Sequence, residues 1–144
     1  MGALVIFISM IRAIILEHLH TYNRVQELET KYNNDYYCEY DEENGSSIPG
    51  YGSGVECTSY AHYIADKENG SVFGFFEDEN PTSEIAQAAG GHDFAIVDGR
   101  YIVDPWISQV ETMSERCVFD LNSLEDQPII KKLYGDRSRW KKMR

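Results

Sequence analysis

The sequence predicts one α+β domain in which helices pack on a small antiparallel sheet. Three observations predict it. Apolar residues recur at a 3–4 spacing near the N-terminus, two strand-like runs flank an Asp98-Gly99 pair, and 144 residues is the size of one domain. With 42% hydrophobic and 26% charged residues against only 4 Pro, the composition suits a chain that buries a core rather than a disordered or collagen-like one. The boundaries follow as 1–144 for the domain, 4–33 for an N-terminal amphipathic helix, 50–107 for a central core and 131–144 for a basic tail.

The first sixteen residues, MGALVIFISMIRAIIL, are the most apolar stretch. No basic residue precedes this run, no small-residue cleavage site follows it, and Arg12 interrupts it short of the roughly 20 residues that span a bilayer. From Ile11 onward, Ile15, Leu19, Tyr22, Val25, Leu28 and Tyr32 follow on one helical face. The favoured reading of 4–33 is a helix that packs on the core or on a partner, with membrane contact as the second reading.

Residues 39–54, with the acids Glu39, Asp41, Glu42 and Glu43 and then Gly and Ser, read as loop. Cys57 to Ala65 is helical in composition and stops near Asn69-Gly70. Val72–Phe76 reads as a buried strand, and residues 83–89 as a short helix that Gly90 closes. Next come the runs His92–Val97 and Arg100–Asp104, a hairpin around Asp98-Gly99. Beyond Trp106, Cys117–Phe119 reads as a strand and Gln127–Tyr134 as a helix.

The net charge is −11, which argues against a nucleic-acid partner held by phosphate neutralisation. That charge is polarised: residues 131–144 carry +6, a frayed terminus lying on the acidic body, and residues 1–130 carry −17. A protein or peptide substrate, basic for preference, fits such a body. Cys38, Cys57 and Cys117 are too few for a disulfide scaffold and lack zinc-ligand spacing; an odd count suits a reducing compartment, the cytoplasm for preference, with a Cys38–Cys117 pair and delivery to another cell or compartment left open. His62, five residues after Cys57, points about 140° away on the helix, and His18 and His20 have no partner at ligand spacing. No metal and no organic cofactor is expected.

Cys57, His92 and Asp104 are a nucleophile, a base and an acid to orient the base. A thiol at a helix start sits among unpaired backbone N–H groups at the positive end of the dipole, which favours thiolate and can hold an oxyanion, beginning with the N–H of Cys57 itself. The plainer alternatives are a buried structural thiol and a core histidine. Strand parity decides whether His92 and Asp104 meet. A strict two-residue turn puts them on opposite faces, whereas a three-residue loop Val97-Asp98-Gly99, with Gly99 left-handed, sets His92 directly across from Asp104. The odd-length loop is therefore expected, with Phe94 opposite Ile102, Ile96 opposite Arg100, and Ala95, Val97, Tyr101 and Val103 on the reverse face. Trp106, just after Pro105, is placed to shield the carboxylate–imidazole bond or simply to pack in the core.

A Cys at a helix start, the phrase Gly91-His92-x-Phe94 and then Val103-Asp104-Pro105-Trp106 resemble the transglutaminase-like branch of the papain-like superfold. Glu56-Cys57-Thr58-Ser59-Tyr60-Ala61 is also similar to the nucleophile helix of CHAP-type peptidoglycan amidases. The resemblance covers residues 50–107 and implies a thioester intermediate and cleavage, deamidation or transfer at an amide bond by a peptidase, deamidase, amidase or effector domain. Papain-type proteases often carry a Gln about six residues before the Cys for the oxyanion; Tyr51 stands there, and its phenol is an alternative donor. The rival reading is a non-catalytic interaction module, such as an adaptor, inhibitor or immunity protein, working through the apolar helix and the acidic surface.

Overall fold

The computed structural model describes residues 2–33 and 57–144. The loop assigned to 39–54, with Tyr51 and Cys38, lies outside the described residues. In chain order the elements are α1 (Gly2–Tyr32), α2 (Cys57–Glu68), β1 (Ser71–Phe76), α3 (Glu84–Ala89), β2 (Gly91–Val97), β3 (Tyr101–Val103), α4 (Pro105–Gln109), β4 (Val118–Asp120), α5 (Gln127–Tyr134) and β5 (Lys141–Lys142). The strands form one antiparallel sheet in the order β4-β3-β2-β1-β5.

Side-chain alternation along β2 and β3 divides the core in two. Ala95, Val97, Tyr101 and Val103 face Leu28 and Tyr32 of α1 and Ile64 of α2. Phe94, Ile96 and Ile102 join Ile85, Trp106, Ile130, Leu133 and Tyr134 from α3, α4 and α5. This is the division of faces expected from the odd-length loop, but the register differs. Val97 pairs with Tyr101 and Ile96 with Ile102, so Phe94 is not opposite Ile102 nor Ile96 opposite Arg100. Asp98 (φ 56°) and Gly99 (φ 63°) make the reversal, with the Arg100 N–H donating to the Val97 carbonyl at 3.0 Å. Arg100 is then the extra residue, held outside the ladder by the Asp120 carboxylate at 2.8 Å. The loop is three residues long, but the three are 98–100 rather than 97–99.

The long helix packs on the core only at its C-terminal end. Of its spaced apolar series only Leu28 and Tyr32 are buried, and from Leu4 to Leu19 the large apolar side chains stand 41–63% exposed. A 31-residue helix is roughly 46 Å long, far beyond what a sheet of two- to seven-residue strands can accompany. The domain holds its C-terminal part instead. Arg24 pairs with Asp98 at 2.8 Å, and Glu29 accepts from the N–H groups of Cys117 (2.9 Å) and Val118 (2.8 Å) at the start of β4.

The basic tail is ordered rather than frayed, because β5 extends the sheet along β1 and the Met143 N–H donates to the Val72 carbonyl at 2.8 Å. It does lie on acidic groups: Lys141 pairs with Glu79, and Arg144 with Asp66.

Replacing Glu29 with Ala leaves the β4 N–H groups without their acceptor. It should lower the unfolding free energy by about 2 kcal/mol, while Glu27→Ala, on the exposed side of the same helix, stays within about 0.5 kcal/mol; chemical denaturation midpoints measure both.

Candidate active site

Cys57 is the first residue of α2, half-buried, at the helix end where backbone N–H groups have no intrahelical acceptor. The start of α2 is tied to β2: the Thr58 hydroxyl donates to Asp93 Oδ2 at 2.7 Å, and the Asp93 N–H points at Cys57 Sγ from 3.4 Å.

His92 precedes Asp93 in β2 and is only 3% exposed. Its Nε2 lies 2.6 Å from Asp104 Oδ2, and the Tyr134 hydroxyl donates to the same oxygen at 2.7 Å. An ionised carboxylate only accepts, so Nε2 carries its proton and Nδ1 is the nitrogen left for other work. Nδ1 is buried and has no hydrogen-bond partner of its own. Trp106 covers the imidazole at 4.8 Å between ring centroids, and Phe94 stacks on it at 6.0 Å. Trp106 is a core residue that lies against the His92 ring.

Asp104 follows β3 and precedes Pro105, which keeps Asp104 out of the helical conformation (φ −143°, ψ 76°) and starts α4. An Asp at a helix start ordinarily accepts from that helix's own N–H groups, but Asp104 makes no such bond; its side chain turns instead to His92 and Tyr134. The observed register would set Asp104 beside Phe94, so it reaches His92 diagonally on the shared face rather than directly across.

Burial by itself pushes the His92 imidazole toward neutrality. The Asp104 carboxylate outweighs it, and with a smaller contribution from Cys57 raises the imidazole to about 9. Burial drives the Cys117 thiol the other way, far above the ordinary thiol range, with Glu29 and Asp104 adding to the effect. Cys117, fully buried at the head of β4, is therefore the inert one of the two described thiols, and Cys57 is the one open to a cleft.

Cys57, Thr58, His92 and Asp93 line a cleft of about 470 Å³ with Phe75 and Met143 on its walls. A hollow of about 550 Å³ beside α5 holds neither thiol nor imidazole. Tyr51 lies outside the described residues, and no cluster that could hold a metal ion occurs among the described ones. His62 lies beside Arg144, its Nδ1 3.5 Å from the guanidinium.

Two contributors escape sequence reasoning. The Asp93 N–H is a backbone group without a sequence signature. Tyr134 lies thirty residues from Asp104, and only its place on the apolar side of α5 hints that a buried hydroxyl there needs a polar partner. Asn80 fixes it by donating to the Tyr134 carbonyl at 2.8 Å and accepting from the Asp136 N–H at 3.0 Å. Gly135, between them, has φ 68°, and a Cβ there would fall 2.3 Å from Asn80 Oδ1. No family model, no curated protein and no solved structure matches the chain.

The raised His92 proton affinity links stability to pH. The folded protein holds this proton up to about 9 while the unfolded chain releases it near 6.5, so the contribution is complete below 6.5 and is lost as pH rises through 9. Denaturation between pH 6 and 10, as the working window, should show this fall in wild type and a flatter profile in Asp104→Asn.

Proposed function

We propose that the protein is a thiol hydrolase or acyltransferase acting on amide bonds, built on a papain-like, transglutaminase-like core. The observation that carries the reading is the buried His92–Asp104 pair with its unoccupied Nδ1, set beside a helix-start cysteine in one cleft. A histidine serving only the core would have both ring nitrogens satisfied or would avoid so costly a position.

The chemistry follows from these groups. The Cys57 thiolate attacks the carbonyl carbon, forming a C–S bond, and the carbonyl electron pair moves to oxygen. The N–H groups at the start of α2 face that charge. When the tetrahedral adduct collapses, the C–N bond breaks and His92 gives its Nδ1 proton to the departing nitrogen, leaving a thioester on Cys57. Water, or an acceptor amine or alcohol, then attacks the thioester while His92 takes its proton; the C–S bond breaks and the thiolate and imidazolium are restored. Asp104 holds the imidazole orientation throughout and balances its charge, and Tyr134 holds Asp104. No step calls for a metal or an organic cofactor. A protein or peptide substrate with basic groups suits the acidic body.

Alkylation of Cys57 by iodoacetamide at neutral pH tests the reading. His92→Ala should slow it at least about tenfold, because the imidazole that draws off the thiol proton is gone. Equal rates in the two proteins would overturn the enzyme and favour the interaction module. Cys117 should stay unlabelled until the chain unfolds, which peptide mass analysis reads directly.

A further inference from the structure

Among the described residues, the first half of α1 packs against nothing in the domain. Between Gly2 and Leu16 only Ser9 and Arg12 are polar, and the large apolar side chains there are exposed. Contact with the body begins at Glu17, whose carboxylate meets Arg100 at 3.3 Å, and becomes firm at Arg24.

We propose that this segment is inserted in the hydrocarbon of a lipid bilayer and holds the catalytic domain against the membrane surface. The argument is geometric. Successive residues of a helix are about 100° apart, so Ile6, Phe7 and Ile8 point to three different sides, and all three are apolar and more than half exposed. A protein groove or a second copy of the helix covers one side and leaves the others wet. A solvent that is apolar all round satisfies every side together, and the helix already satisfies its own backbone there. Helix α1 is long and apolar enough to cross a membrane.

Polarity changes where the contacts begin. Arg12 sits five residues, about 7.5 Å, from Glu17, within reach of headgroup phosphates for a long guanidinium stem. At the foot of the segment Leu124, 83% exposed, borders the same hollow as His18 and Tyr22, a second apolar group placed to enter the interface. The helix runs unbroken from the apolar segment into the part that carries Glu29, Leu28 and Tyr32, so anchor and domain are joined without a linker.

The experiment is flotation of the full chain with phosphatidylcholine vesicles, alongside Ile6→Lys, Phe7→Lys and Ile8→Lys. These side chains touch nothing in the domain, and a thermal unfolding midpoint shared with wild type verifies folding independently of any thiol chemistry. Wild type should float and survive both high salt and alkaline carbonate, and each of the three variants should lose vesicle partitioning by at least about tenfold. Three results would overturn the proposal: a wild-type chain that stays free of vesicles, release by salt or carbonate, or sensitivity at one of the three positions only, which is the signature of a protein partner or of a second copy.

Discussion

The hydrogen-bonded pair of His92 and Asp104 is the constraint around which the rest of the molecule is arranged. A carboxylate at 2% exposure and an imidazole at 3% are costly to bury, and each is tolerable only because the other is in reach. Their meeting requires β2 and β3 to present even-numbered residues on one face, α4 to begin just after Asp104, and α5 to deliver the Tyr134 hydroxyl to the same oxygen. Asn80 and the Ser83 hydroxyl, the latter donating to the Leu133 carbonyl at 2.5 Å, clasp the end of α5 from the loop before α3. Much of the small sheet and three of its helices thus converge on one ion pair. This convergence links the stability of the fold to the protonation of the site.

Most of the elements were legible in the sequence because their signals are local. The 3–4 apolar spacing marked α1, and Ser83 and Gly90 bracketed α3. The alternation around Asp98-Gly99 marked the hairpin. The meeting of His92 and Asp104 is legible because parity, a purely local count, carries the two residues to one face. The exact register was not, since Arg100 leaves the ladder to reach Asp120, and that carboxylate comes from a strand twenty residues away. Tyr134 and the Asp93 N–H were illegible for the same reason: each acts across the tertiary fold, and neither carries a pattern in the chain.

The N-terminal helix shows the opposite limit. Its periodicity was real from Ile11 to Tyr32, yet periodicity only says which residues share a side and not how much of that side meets protein. The domain is too short to use more than the last turns. The tail differs from its expectation for a related reason: its charges suggest a solvated terminus, whereas the backbone of residues 141–144 has an open edge of β1 to complete. Lysines are at home on an edge strand, where their side chains point to water and their charge discourages a further strand from adding.

The turn at Asp98-Gly99-Arg100 carries a consequence for how such a chain can change over time. Surface turns usually accept insertions and deletions freely. Here a gain or loss of one residue would exchange the two faces of everything beyond it, sending Asp104 toward the α1 side and Val103 toward the imidazole. The turn can therefore vary in kind but not in count, except by pairs, and its length is inherited as a unit with the acid that lies four residues further on.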